Sequence, residues 1–230
     1  LGAGGMLGHK VYSTLDKEGF DVYASIRKPI KFYDHTDFFN QDKFIEILDV
    51  TDESTLFAHL NLLKPDFIIN CIGLTTRKIS SKEHINLIKI NSILPHSLNS
   101  WCESNKAKLI HFSTDCVFSG GDGNYSEDSP TDSYDDYGNS KALGEVKNSS
   151  HALTIRSSII GLELSSNTEL IEWFLSNRNG EVNGYDNVMY SGITTNFMST
   201  IVVEMIKNNM PINNYRNEQP LNDRLVKLNY

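Results

Sequence analysis

The chain has 230 residues, 39% of them hydrophobic and 22% charged, with a formal net charge of −8. Its length suffices for one domain with a sizeable core, or a large domain with a small lobe. The acidic balance argues against nucleic-acid binding, which rests on basic surface, and no apolar run approaches the length of a bilayer span.

Hydrophobic periodicity alternates between helix-like and strand-like along the chain. Gly2-Ala3-Gly4-Gly5-Met6-Leu7-Gly8 is a glycine-rich loop. Leu7, Val11 and Leu15 follow at helical spacing, with Gly19 as the predicted stop. Val22, Ala24 and Ile26 alternate as a second strand, and residues 45–50 suggest a third. Thr51 is the expected cap of a helix carrying Leu56, Leu60 and Leu63, with Asp52 and Glu53 in its first turn. Phe67-Ile68-Ile69 is the continuous apolar run of a strand covered on both faces. A long helix over 82–104 is predicted to kink at Pro95. A strand at 109–112, a helix at 137–147 and a strand at 153–155 complete the pattern. Beyond Gly161, helices are predicted around Leu170 to Leu175 and around Phe197, Ile201 and Met205, while residues 210–230 are polar and unassigned.

Strands alternating with helices imply a parallel sheet with right-handed crossovers, an α/β Rossmann-type doubly wound fold. Residues 1–160 are expected to form the dinucleotide-binding domain. Residues 161–230 would form a small substrate lobe, partly interleaved with it. The glycine loop needs a strand before it and only Leu1 is present, so residues upstream of Leu1 are expected.

Gly2, Gly5 and Gly8 fall at a G-x-x-G-x-x-G spacing, which lets a backbone approach a pyrophosphate and offers it a helix N-terminus; Met6 and Leu7 lie in the same loop. NAD-preferring sites usually carry an acidic residue about 20 residues on, for the ribose hydroxyl. Arg27 and Lys28 stand there instead and suit a 2′-phosphate, favouring NADP(H) over NAD(H), although both also read as solvated cations at a strand end. Asp49 and Val50 close the third strand, where the adenine would lie.

Tyr137 and Lys141 are four apart on one predicted helix face. A nearby cation lowers a tyrosine pKa, and such a tyrosine can protonate a carbonyl oxygen as hydride reaches its carbon. The preceding strand ends in Ser113-Thr114-Asp115, so Thr114 can share that oxygen, or simply cap the strand end.

Together these segments resemble the extended short-chain dehydrogenases/reductases and, within them, the dTDP-4-dehydrorhamnose reductases. The resemblance is carried by Phe112-Ser113-Thr114-Asp115-Cys116-Val117-Phe118-Ser119-Gly120, Gly123-Asn124-Tyr125-Ser126-Glu127 and Tyr137-Gly138-Asn139-Ser140-Lys141-Ala142-Leu143-Gly144-Glu145. Asn70-Cys71-Ile72-Gly73, Asn91, Pro95-His96 and the stretch 156–161 add to it. It implies Tyr137 as proton donor, Lys141 as its modulator and a ribose ligand, and Thr114 as the third catalytic hydroxyl. It implies that Cys71, Ile72 and Gly73 pass beneath the cofactor and that Asn91 orders the lysine and its water; a polar residue bonding within a kinked helix is the other reading of Asn91. Asp115, Val117, Trp173 and Tyr185 are the implied substrate contacts, although Trp173 and Phe174 also fit a packing stripe. Arg156 reads as a structural cation.

The implied activity is NADPH-dependent reduction of the 4-keto group of a nucleoside-diphosphate 4-keto-6-deoxy sugar, supplying a deoxysugar for surface polysaccharide. An NAD-dependent epimerase or dehydratase and a non-catalytic dinucleotide-binding regulatory subunit are the alternatives. Cys71, Cys102 and Cys116 are odd in number and lack metal-type spacing. They read as reduced thiols of a cytoplasmic protein. No metal, nucleic-acid or membrane partner is expected, and the sequence leaves room for a homodimer.

Overall fold

The computed structural model describes residues 1–33, 43–46, 48–75, 81–165, 169–184, 186, 188 and 190–209. In chain order these form α1 (Gly8–Lys17), β1 (Ala24–Ser25), a 3-10 turn (Ile30–Tyr33), β2 (Phe44–Ile45), α2 (Glu53–Leu63) and β3 (Phe67–Asn70). Next come α3 (Ser81–Leu87), a π-helical segment (Ile88–Ile93), α4 (Leu94–Asn105), β4 (Lys108–Phe112), a 3-10 turn (Asp115–Val117) and α5 (Asp136–Leu143). The last are β5 (Ala152–Ile155), β6 (Ile159–Ile160), α6 (Leu170–Ser176), β7 (Ile193–Thr194) and α7 (Thr195–Lys207).

Every pairing is parallel: β2 with β1, β3 with β4 with β5, and β6 with β7. Residues 1–3 join the first two groups. The Ala3 N–H donates to the Ser25 carbonyl at 2.9 Å, while the Leu1 amino group donates to the Ile69 carbonyl at 2.7 Å and the Leu1 carbonyl accepts from the Cys71 N–H at 3.2 Å. The glycine loop therefore leaves from between β1 and β3, the position where the winding direction of an open α/β sheet reverses and ligands bind.

Alternation along β4 sends neighbours to opposite faces. Leu109 joins Ile68, Leu56, Leu60, Leu98, Trp101 and Ala152 in the core under α2 and α4. Ile110 and Phe112 join Leu7, Val11, Leu15, Met198, Val202 and Val203 in the core under α1 and α7. Helix α7, although distant in sequence, thus packs into the same core as α1. Fully burying such a side chain contributes roughly 1.5–3 kcal/mol, so these two clusters dominate the stability of the sheet.

Four sequence expectations are adjusted. The third strand is Phe44–Ile45, earlier than 45–50. The cap of α2 is Asp52, whose carboxylate accepts the Ser54 and Thr55 N–H groups; the Thr51 hydroxyl is already committed to Asp49 at 2.8 Å. Around Pro95, which has no N–H to donate, the long helix does not simply bend but widens over Ile88–Ile93 into π-helix, with Pro95 in the first turn of α4. Finally, α5 ends at Leu143 rather than 147, its last turn closing through the Gly144 N–H onto the Ser140 and Lys141 carbonyls. The expectations for residues 210–230 fall outside the described residues. Among the described residues no helix is long and apolar enough to cross a membrane.

Candidate active site

The floor of the site is backbone. A Cβ on Gly8 would collide with the carbonyl of Gly2, and a Cβ on Gly2 would stand 2.8 Å from Cγ1 of Ile72. Glycine at both positions is what lets the loop close onto itself and onto residues 71–73. Helix α1 begins at Gly8 with Leu7 as its cap, which offers no side-chain hydrogen bond. No capping side chain competes for the first-turn N–H groups, the arrangement that suits an anion at a helix N-terminus. Leu7 itself is buried in the core, so its contribution to a ligand is through its backbone. Gly73 follows Cys71 and Ile72, and its Cβ position lies 3.8 Å from Lys141 Nζ and 3.9 Å from Asn91 Oδ1. These three predicted cofactor residues therefore converge at the carboxyl end of β3.

Asn91 owes its position to the π-helical segment. Its Oδ1 accepts the Leu74 N–H at 2.8 Å, and its Nδ2 donates to the Leu74 carbonyl at 2.9 Å and to Ser140 Oγ at 3.0 Å. It bonds across to α5 and to the loop after β3. The alternative of bonding inside its own helix is not what it does. Beneath it, Asn70 Nδ2 donates to His111 Nδ1 at 3.1 Å and Asn70 Oδ1 accepts the Ile72 N–H. Burial, with the Lys141 and His96 charges adding to it, holds His111 well below the usual histidine range.

Thr114 ends β4 and caps the following 3-10 turn: its hydroxyl accepts the Cys116 N–H at 3.1 Å and donates to Asp115 Oδ1 at 3.2 Å. The capping role read from sequence and a place in the site therefore coexist, because the same hydroxyl also lies against the Tyr137 phenol. Helix α5 presents Tyr137 and Lys141, with Asp135 capping it through the Gly138 N–H at 2.6 Å. Lys141 is 2% exposed and donates to the Phe112 carbonyl at 2.6 Å. Burial lowers its pKa to about 8, against the opposing pull of Glu145 and Cys71. Burial also pushes Tyr137 up to about 12; the Thr114 bond works against that rise, while Cys116, Asp115 and Glu169 add to it. The Lys141 ammonium is turned to the strand carbonyl, and desolvation dominates the tyrosine. The result is a phenol that stays protonated across the physiological range.

A buried ion pair stiffens this wall. Glu145 accepts from Arg156 Nε at 2.7 Å and Nη2 at 2.8 Å, and from Ser113 Oγ at 2.9 Å. Arg156 also donates to the Glu127 carbonyl and lies 5.0 Å over the Phe118 ring, which stacks on Tyr125 at 4.2 Å. The block that carries the family resemblance, from Ser113 to Glu145, is in this way tied into one unit by a fork-shaped charge-assisted pair.

The remaining predicted residues are dispersed. Arg27 and Lys28 are exposed beyond β1, Lys28 Nζ lying 5.7 Å over the Phe32 ring. Asp49 is exposed and accepts from the Thr51 N–H and hydroxyl, and Val50 is buried. Asp115 is half-buried and accepts Ser158 Oγ at 2.5 Å. Val117 is fully buried and its carbonyl accepts the Asp132 and Ser133 N–H groups, so it supports the turn from the core. Trp173 and Phe174 are 42% and 60% exposed, and α6 has no buried residue, so the packing explanation for them does not hold. Tyr185 lies outside the described residues. Sequence reading missed Tyr190, whose phenol lies by Ser158 and Asp115, and Tyr33, whose ring end abuts Gly4 near Arg27. The Tyr190-Ser191-Gly192 sequence carries only the glycine as a signal. All three cysteines are free, and among the described residues no cluster of His, Cys, Asp and Glu could hold a metal.

Comparison with known proteins follows the geometry. The family model described as the RmlD substrate binding domain matches residues 1–176. The chain is 30% identical over 145 residues to a probable low-salt glycan biosynthesis reductase of Haloferax volcanii, covering 63% of this chain and 46% of that protein. It is 31% identical over 145 residues to a dTDP-4-dehydrorhamnose reductase of Streptomyces griseus, covering 63% and 42%. The matched stretch thus spans less than half the length of these curated relatives. A crystal structure of dTDP-4-dehydrorhamnose reductase from Bacillus anthracis in complex with NADP superposes with a TM-score of 0.69 at 22% identity, covering 90% of this chain and 69% of that one. At that identity the likeness establishes the shared Rossmann-type α/β fold.

Proposed function

Since the chain belongs to the RmlD substrate binding domain family, we propose that it reduces the 4-keto group of a nucleoside-diphosphate 4-keto-6-deoxy sugar with NADPH, supplying a deoxysugar for polysaccharide or glycan assembly. The observation that carries this reading is the joint position of Thr114, Tyr137 and Lys141 at the carboxyl end of β4, with Gly73 and Asn91 beside the lysine.

NADPH, when bound, supplies a hydride to the keto carbon. The uncapped N-terminus of α1, with Gly2, Gly5, Met6, Leu7 and Gly8, suits its pyrophosphate. Arg27 and Lys28 would supply positive charge for a 2′-phosphate, Asp49 and Val50 would hold the adenine end, and Cys71, Ile72 and Gly73 would hold the nicotinamide half. Lys141, held by the Phe112 carbonyl and with Asn91 nearby at Gly73, would hydrogen-bond the adjoining ribose. The Tyr137 hydroxyl gives its proton to the keto oxygen as that oxygen gains charge, and Thr114 donates a second hydrogen bond to it. The tyrosinate left behind regains its proton from solvent. Tyr137 is protonated at neutral pH, the form a proton donor needs. Residues from 161 onward supply the substrate lobe, with Asp115 and Trp173 as substrate contacts.

The test is a mixture of the full chain, NADPH and an enzymatically prepared dTDP-4-keto-6-deoxy sugar, followed by absorbance of the reduced nicotinamide. The expected result is signal loss that disappears in Tyr137→Phe. Bound NAD that survives purification, with no net consumption of NADPH, would replace this reading by the epimerase or dehydratase.

A further inference from the structure

The wall of the cleft away from α5 is built by a parallel rung. β6 pairs with β7, and the Ile193 N–H donates to the Ser158 carbonyl at 3.0 Å, which fixes Ser158 next to the segment leading into β7. Ser158 Oγ in turn donates to Asp115 Oδ2 at 2.5 Å, while Thr114 donates to the other oxygen of the same carboxylate. Beside this chain of hydroxyls and carboxylate lies Tyr190, its phenol next to the Ser158 side chain. Its ring lies over Gly192 so closely that a Cβ there would stand 2.5 Å from Cε1. Tyr190 and Tyr137 share Asp115, Cys116 and Glu169 as their charged or ionisable neighbours, so the two phenols border one cleft. Yet Tyr190 remains 50% exposed, leaving ring surface for a ligand.

We propose that Tyr190 is a substrate-contacting residue that sets the position of the sugar, its ring packing on the pyranose while Ser158, Asp115 and Gly192 hold it in place. The inference rests on the ketoreductase reading of the same site. A 6-deoxy sugar presents a methyl group and a row of C–H bonds on one face and hydroxyls at its edge. A tyrosine ring with its hydroxyl anchored matches that combination of apolar area and polar edge. A contact of this kind is made equally in the ground and transition states, and so it appears in KM more than in kcat.

The experiment measures kcat and KM for the sugar nucleotide and for NADPH in the full chain and in Tyr190→Ala, Tyr190→Phe and Ser158→Ala, with thermal melting as a check of folding. In Tyr190→Ala the sugar-nucleotide KM is expected to rise about tenfold or more, with kcat and the NADPH KM within about twofold of wild type. Tyr190→Phe restores most of that loss because it keeps the ring, and Ser158→Ala, which frees the ring, gives a smaller rise in the same constant. A sugar-nucleotide KM that stays at the wild-type value in Tyr190→Ala overturns the proposal. If Tyr190→Ala does not fold, an unchanged KM in Ser158→Ala does so. Wild-type protein that does not turn over the keto sugar defeats the ketoreductase reading itself, and the inference with it; wild-type turnover with an indifferent Tyr190→Ala defeats the inference alone.

Discussion

Helices α5 and α6 are held by opposite means. On the α5 side, each group is fixed by partners distant in sequence: Lys141 by a strand carbonyl, Asn91 by α5 and Leu74, Glu145 by a bidentate arginine. On the α6 side, no residue of the helix is buried, and Leu170, Trp173, Phe174 and Leu175 all face outward. One wall is complete before any ligand arrives. The other spends its apolar side chains on surface, where they gain burial only when something covers them. The difference separates chemistry, which needs donors held to fractions of an ångström, from recognition, which needs area.

The sharpest way to break this division is Tyr137→Phe. Loss of the proton donor is expected to cut turnover by roughly 10²–10⁴-fold, with NADPH affinity in a fluorescence titration unchanged; retained turnover would mean the prefabricated wall is not where the chemistry occurs. Glu145→Ala comes next. Leaving Arg156 without its buried partner is expected to cost about 3–5 kcal/mol in denaturant unfolding, whereas a loss under 1 kcal/mol would show that the wall is not held by that pair.

A pH profile gives a milder effect. Because the folded pKa of Lys141 is lowered to about 8 from an ordinary 10.5, the unfolded chain binds more protons between those values, and this group makes stability rise as pH climbs through that window. On the proposed mechanism cofactor binding runs the other way, since the ribose contact would use the ammonium. kcat/KM is therefore expected to fall above about pH 8. Lys141→Arg, which cannot deprotonate, should lose that alkaline limb, and its persistence would assign the limb elsewhere. The smallest effect is at Trp173→Ala, where a surface change is expected to move stability by no more than about 0.5 kcal/mol while raising the sugar-nucleotide KM. A large drop in melting temperature would show that α6 is core after all.

Much of the chemical wall was legible in the sequence, since its residues sit in contiguous stretches whose spacing is set by one strand and one helix. Thr114 at a strand end and Tyr137 with Lys141 at i and i+4 are local facts. What stayed hidden depends on pairing at long range. Asp52 wins the cap from Thr51 only because Asp49 holds the threonine hydroxyl. The direction of the Lys141 ammonium depends on the Phe112 carbonyl, 29 positions away, so i,i+4 spacing gave the neighbours but not the orientation of the ammonium. Tyr190 was invisible because its place follows from the β6–β7 rung and from Gly192, neither of which has a periodic signature. The helical stripe of Trp173 and Phe174 predicted packing, but a stripe states only that a face is apolar, not that it is covered.

The π-helical segment Ile88–Ile93 also constrains what kind of mutation the site can absorb. Successive α-helical residues differ by about 100° in phase, and a π turn holds one residue more than an α turn. Removing a single residue between 88 and 93 would let the segment relax into regular α-helix, with every side chain remaining chemically acceptable. Asn91 would then leave the direction from which it meets both Leu74 and Ser140, and α3 would swing by about 100° relative to α4. Across these six residues, length is therefore constrained as well as the identity of Asn91: a one-residue deletion changes the phase of the helix that sets Asn91 against Leu74 and Ser140.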